Sequence, residues 1–245
     1  MCRFVAILTA SLFIFFHATT AQTFGVSYGS YRMDDYTKKD SALVSLLANY
    51  KDSISKKMST VLGFSTDGLT KKQPESGLGN FMTNAMKIMA EKKFETHVDA
   101  AFINYGGIRS YLPKGDITIG RIFELMPFDN LIVLQEIKGD TLLSFLNFIA
   151  ERNGWPISGI SMSINNRKAT NILVNGKPLD ITATYTIANS DYIANGGDDV
   201  KMLKGIPQIN KGYLLRDALI TYMQFITDKG ESIDCKPEKR ITYGR

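Results

Sequence analysis

Apolar residues recur at three- and four-residue spacing over 41–63, SALVSLLANYKDSISKKMSTVLG, where Leu43, Leu46, Leu47, Tyr50, Ile54, Met58 and Leu62 share one face. That spacing predicts an amphipathic helix ending at Gly63, because 3.6 residues per turn bring such positions to one side. Residues 74–93, PESGLGNFMTNAMKIMAEKK, repeat the pattern after a Pro/Ser lead, with Leu78, Phe81, Met82, Ala85, Met86 and Met89 as the face to be buried. Then the pattern changes. VDAAFIN (98–104), residues 116–119, LIVLQEIK (131–138) and the segments 157–164, 170–175 and 184–189 have the composition of strands, separated by turn residues such as Asn175-Gly176-Lys177-Pro178. Helices are predicted over 120–125 and 139–154. Another over 212–229 has Leu215, Leu219, Tyr222 and Met223 as its face. No internal repeat or linker interrupts the run, so the expectation is one α+β domain, a mixed sheet with packed helices.

Two turns stand out from this frame. One is Asn104-Tyr105-Gly106-Gly107-Ile108-Arg109, and the other is Asn195-Gly196-Gly197-Asp198-Asp199, which follows a short apolar run. Paired glycines tolerate positive φ and leave the backbone bare for a close approach. The second turn also holds out Asp191, Tyr192, Asp198 and Asp199. A bare backbone beside an aromatic ring and several carboxylates suits a flat, polar ligand, although a plain surface turn would look the same.

Composition narrows the compartment and the chemistry. The chain has 245 residues, 44% hydrophobic and 22% charged, which is ordinary for a folded domain. Arg3 precedes an apolar run from Phe4 to Phe16, and small residues follow to Ala21. This is the layout of a signal peptide (1–21), too short for a membrane span, which needs roughly 20 apolar residues. The expectation is therefore an exported protein, periplasmic or extracellular, with a lead-in over 22–40 and the domain over 41–245. Lysines are scattered, so binding of a nucleic-acid polymer is not supported, though a mildly basic balance favours small phosphorylated ligands. Beyond the leader only Cys235 and His97 remain of their kinds. Neither an internal disulfide nor a thiolate zinc site is expected, and neither a metal site nor a catalytic residue is assigned to this chain.

Six stretches occur in a telling order: ESGLGN (75–80), NYGGIR (104–109), MPFDN (126–130), ISGI (157–160), VNGKPLD (174–180) and ANSDYIANGGD (188–198). Over roughly residues 40–243 the chain resembles the C-terminal domain of the 5'-nucleotidase family. The resemblance implies that Asn104 and Arg109 contact a nucleoside. It implies that Phe128 forms one side of a base-stacking clamp and Tyr192 the other, where the family often has Phe. Asp198 would hold ribose hydroxyls, and Gly106, Gly107, Gly196 and Gly197 would support the two turns. The family often carries an arginine near the start of the ESxxGN motif. Here Pro74 precedes Glu75, and the nearby bases are Lys71 and Lys72.

These roles are chemically reasonable by themselves. Two facing aromatics accept any base, at roughly 1–3 kcal/mol per stacked base. A carboxylate can accept two hydroxyl hydrogen bonds at once, and a guanidinium offers a planar fork of donors. Plainer roles exist for each. Phe128 could be a core aromatic, Tyr192 a cap on a strand edge, and Arg109–Asp198 a surface ion pair. Asn104 could simply set its turn, and Glu75 could be a helix-end carboxylate.

In full-length members of the resembled family, hydrolysis belongs to an N-terminal metallophosphoesterase domain with two metal ions. No DxH or GNHE stretch occurs here. The expectation is a nucleotide-recognition half that grips base and ribose while a separately encoded metallophosphoesterase chain, itself carrying the divalent metals, hydrolyses the phosphate. The alternatives are a stand-alone exported nucleoside-binding protein and a vestigial structural domain.

Overall fold

The computed structural model describes residues 25–32 and 40–244, without the side chain of Asn49. The expected signal peptide lies outside the described residues, as do 22–24 and 33–39 of the lead-in. The chain divides into two units, Met1–Leu46 and Leu47–Arg245. In the first, residues 25–32 are exposed and adopt no regular structure.

Helix α1 spans Ser41–Met58, with the Asp40 carboxylate accepting from the Ala42 and Leu43 amides at its start. It ends five residues short of the predicted Gly63. Val61–Ser65 is instead a strand, β1, and Leu62 is buried there and not on a helix face. Gly63 pairs with Ile117 in that strand, and Thr227 and Met223 stand where its side chain would be, leaving no room for one. Among the described residues nothing covers the middle of the predicted apolar face of α1. Leu47, Tyr50 and Ile54 are each more than half exposed.

Helix α2 (Gly77–Phe94) behaves in the opposite way. Ser76 caps it, its Oγ accepting from Gly79 N at 3.1 Å, and all six predicted face residues are buried. The chain continues through β2 (Ala100–Phe102), β3 (Gly115–Thr118), α3 (Ile119–Leu125), β4 (Leu131–Lys138) and α4 (Gly139–Glu151). Then come β5 (Ile157–Ser158), β6 (Ile160–Asn165), β7 (Lys168–Val174), β8 (Lys177–Pro178) and β9 (Thr184–Ser190). A single helical turn, α5 (Asp191–Ala194), leads by way of two short 3-10 turns to β10 (Ile209–Leu214), α6 (Leu215–Asp228) and β11 (Ile241–Tyr243).

Two boundaries differ from expectation for visible reasons. The stretch 157–164 breaks at Gly159 (φ 83°), so that β5 pairs with β2 while β6 joins another sheet. The closing helix starts at Leu215 and not at 212, because residues 209–214 pair antiparallel with β4 as an exposed edge strand.

The five-stranded sheet has the order β10-β4-β9-β2-β5, and the other sheets are β11-β6-β7-β8 and β1-β3. Alternation along β2 and β9 sends Ala101 and Ala188 to a core shared with α2, α3 and α6. Ala100, Phe102 and Ile187 go to a second core with α4, β6 and β7. Both faces of the sheet are thus buried, which is why these strands read as unbroken apolar runs. The second core carries the chain's one tryptophan. Trp155 is 3% exposed and stands edge-on to Phe145 and Phe148 at 6.1 and 5.5 Å. No helix among the described residues is long and apolar enough to cross a membrane.

Candidate functional site

Three strand ends meet at one edge of the five-stranded sheet. β2 and β9 are adjacent and parallel (Ala100 opposite Ile187, Ala101 opposite Ala188), so the chain leaves both at the same edge. β4 runs antiparallel to β9 with Ile132 opposite Ser190, so the chain reaches β4 from that edge. Residues 104–109, 128–130 and 191–199 are therefore brought together across gaps of up to 94 residues. Between them lies a cavity of about 350 Å³ lined by Asn104, Gly106, Gly107, Arg109, Phe128, Asn130, Tyr192 and Asp198. That volume suits a small organic ligand. All five predicted binding residues and two of the four predicted glycines line it. Gly196 and Gly197 lie beside it, in the turn that carries Asp198.

Asn104 is 7% exposed, and its Nδ2 donates to Asp198 Oδ2 at 2.7 Å. Its side chain lies on Gly107, where a Cβ would fall 2.6 Å from Asn104 Oδ1. Asn104 thus does more than set its own turn. Lys71 braces the same turn from behind, donating to Ile108 O at 2.8 Å and Tyr105 O at 3.4 Å. It binds backbone and does not line the cavity. Arg109 makes no ion pair with Asp198; its guanidinium lies 5.1 Å from the Phe128 ring centroid, within cation–π range.

Phe128 is half-buried against the first core. Its backbone is held by Arg216 from the first turn of α6, which donates to Phe128 O at 3.1 Å and to Asp129 Oδ1 at 2.6 Å. Arg216 is 8% exposed, with its guanidinium 4.3 Å from the Phe123 ring centroid. The partly exposed Tyr192 stands on α5. Asp191 Oδ1 accepts from Tyr192 N at 2.9 Å and from Leu131 N at 3.0 Å, which ties α5 to the start of β4.

The Tyr192 hydroxyl donates to Asp198 Oδ1 at 2.8 Å and accepts from Asp198 N at 3.2 Å. Donation to the carboxylate favours the protonated phenol and holds the Tyr192 pKa above its ordinary value. The turn beneath is left-handed at Gly196 (φ 93°), Asp198 (φ 52°) and Asp199 (φ 66°). Further back, fully buried Gln135 donates to the carbonyls of Leu203 and Ile206 and accepts from Asn189 Nδ2 at 3.0 Å, anchoring the loop that follows.

Other candidates lie elsewhere. Glu75 Oε1 accepts from Asn80 Nδ2 and from Glu238 N, both at 2.7 Å, which is a structural role outside the cavity. His97 stands 3.4 Å from both Glu91 and Asp99, also outside it. Among the described residues no three His, Cys, Asp or Glu side chains group as a metal site. Sequence reasoning did not assign roles to Asn130, Arg216 or Lys71. Asn130 sits inside the MPFDN motif and could have been marked from it, whereas Arg216 acts across 88 residues and left no local signal. The assembled site offers two aromatic faces, one carboxylate held from two sides and one guanidinium. Those groups can grip a flat ring and a polyol.

The family model described as "5'-nucleotidase, C-terminal domain" matches residues 54–205. A 5'-nucleotidase of Vibrio vulnificus (strain CMCP6) is 27% identical over 220 residues, 84% of this chain but 38% of that protein. A 5'-nucleotidase-related protein of Glossina morsitans morsitans is 27% identical over 241 residues, covering 86% of this chain and 43% of that protein. Among solved structures, a 5'-nucleotidase precursor from Thermus thermophilus superposes with a TM-score of 0.70 at 26% identity, over 82% of this chain and 43% of that one. The chain thus spans less than half the length of these relatives.

Proposed function

The chain belongs to the 5'-nucleotidase C-terminal domain family, and from that premise we propose that its cavity binds the nucleoside moiety of a nucleotide. A single observation carries this reading: Asn104, Arg109, Phe128, Tyr192 and Asp198, drawn from three separate segments, line one cavity. Phe128 and Tyr192 bracket the base, and neither is paired with another aromatic ring among the described residues. Asp198 accepts from the ribose hydroxyls, and Arg109 faces the phosphate side. The phosphate is hydrolysed by a second surface, a metallophosphoesterase chain supplying divalent metals, which would act as Lewis acids and generate the attacking hydroxide. The bare apolar face of α1, with Leu47, Tyr50 and Ile54 exposed, favours such a partner, since a stripe of this kind is normally covered. The leader-like first 21 residues support a function outside the cytoplasm. A stand-alone nucleoside receptor is the second reading, favoured by a cavity built entirely from this chain's own side chains.

Thermal unfolding with and without millimolar adenosine and AMP, beside Tyr192→Ala, tests the first step. A ligand at about 100 times its dissociation constant adds roughly 2.7 kcal/mol to the folded state, and the variant is expected to lose that shift. AMP hydrolysis by a metallophosphoesterase only when this chain is added would establish the partner, whereas full affinity with no effect on any such enzyme would favour the receptor. A wild-type protein indifferent to every nucleoside would sink both.

A further inference from the structure

We propose that the hydroxyl of Tyr192, as distinct from its ring, makes this cavity select ribose over 2'-deoxyribose. The inference rests on the nucleoside reading above and adds a determinant of sugar specificity. An ionised carboxylate offers about four acceptor positions, two on each oxygen. On Asp198 one position of Oδ2 is taken by Asn104 Nδ2 at 2.7 Å, and one of Oδ1 by the Tyr192 hydroxyl at 2.8 Å. One acceptor position is left on each oxygen, enough to take two neighbouring hydroxyls of one ring, one on each oxygen. A sugar with only one of the two leaves an acceptor facing the cavity without a donor.

That match depends on Asp198 being held still, and its surroundings alone do not ensure it. The residue is exposed and adopts a left-handed backbone (φ 52°, ψ 27°), which is costly for most L residues and which Asp tolerates through local hydrogen bonds. The Tyr192 hydroxyl supports it twice. It donates to the carboxylate and accepts from the Asp198 N–H at 3.2 Å, so one group fixes both the side chain and the backbone. The ring lies against the bare backbone of Gly197, where a Cβ would come within 2.5 Å of ring carbons. The opposite oxygen is fixed in turn by Asn104, itself buried against Gly107. Asn104 and Tyr192 thus each hold one oxygen, and the carboxylate is organised before a ligand arrives. A phenylalanine here would offer a base the same ring but leave Asp198 tethered by Asn104 alone. Base affinity resides in the ring and sugar selection in the oxygen.

Calorimetric titration of wild type and Tyr192→Phe with adenosine and 2'-deoxyadenosine separates the two. The wild type is expected to bind adenosine about tenfold more tightly or better, the scale of one hydrogen bond to a charged group. Tyr192→Phe is expected to lose most of that advantage through weaker adenosine binding, with 2'-deoxyadenosine changed by less than about twofold. A general structural loss would weaken both ligands together, so the ratio is the readout that matters. An unchanged ratio in Tyr192→Phe, or tighter adenosine binding because the hydroxyl competes with ribose, overturns the proposal while leaving the nucleoside reading intact. A wild type that binds neither compound overturns the nucleoside reading, and this proposal with it.

Discussion

The two glycine-pair turns look alike in sequence and work by different physics. In the turn at 104–109 neither glycine needs a left-handed backbone. Gly107 is buried and required for space, because Asn104 lies where its side chain would be. In the turn at 195–199 the backbone itself is unusual. Gly196, Asp198 and Asp199 all have positive φ, and Gly197 serves as the surface on which the Tyr192 ring rests. The first turn is a packed wall and the second a sprung arm that presents a carboxylate. A glycine pair in a sequence signals a bare backbone, and only its neighbours decide whether that bareness serves approach or handedness.

Four substitutions and one titration can sharpen or break this contrast. Gly107→Ala is expected to do the most damage. Its Cβ would meet Asn104 Oδ1 at 2.6 Å, and overpacking together with a displaced buried amide costs about 2–3 kcal/mol. Chemical denaturation reads this directly, and a change under about 0.5 kcal/mol would mean that the wall yields. Gly197→Ala should divide differently, displacing the exposed Tyr192 ring and so weakening nucleoside binding about tenfold, within the usual worth of one stacked base. Stability should move by no more than about 1 kcal/mol, because an exposed ring has room to swing. Equal losses of stability from the two alanines would erase the distinction drawn here.

Gly196→Ala and Gly106→Ala form a matched pair with smaller effects. The first places a side chain at φ 93° and should cost about 1 kcal/mol through handedness alone. The second meets nothing nearer than 3.8 Å and should stay within about 0.5 kcal/mol of wild type. If Gly106→Ala proved the more harmful of the two, the assignment of handedness to one turn and space to the other would be wrong.

The smallest expected effect is a pH dependence confined to the second turn. Donation to Asp198 raises the Tyr192 pKa above the ordinary value of 10.0, so folding favours the protonated phenol. Its contribution is complete below about 10 and is lost as pH rises through the raised value, because the unfolded chain gives up that proton first. The denaturation midpoint of the wild type should therefore fall more steeply than that of Tyr192→Phe above that pH. Parallel curves would show that the hydroxyl contributes nothing to the turn.

Much of this was legible in the sequence, for reasons that particular residues make plain. Helix α2 could be read because its period is uninterrupted and its face is buried by neighbours on both sides, so Leu78, Phe81 and Met86 follow the pattern without exception. The cavity-lining residues could be named because each lies in a short motif with its own turn chemistry, and the sheet then gathers those motifs at one edge. The strand over 209–214 escaped because its residues are mostly exposed and pair only at the sheet's rim. Leu62 was assigned to a helix because the strand β1 continues the helical spacing by coincidence. Periodicity in α1 predicted an apolar face but could not say that Leu47, Tyr50 and Ile54 would lie open. Arg216 was invisible because its task, holding the carbonyl of Phe128, depends wholly on a contact made by the fold.

The position of the one tryptophan gives the protein an optical signature. Trp155 is buried among Phe145 and Phe148 in the second core and does not line the cavity. A dry indole in such a nest emits at short wavelength, and its emission shifts to the red only when water reaches it. With no second indole to blur the signal, the fluorescence maximum is a clean gauge of whether that core is closed. Occupancy of the cavity should leave the native spectrum unchanged and appear only as a higher temperature at which the colour shift occurs.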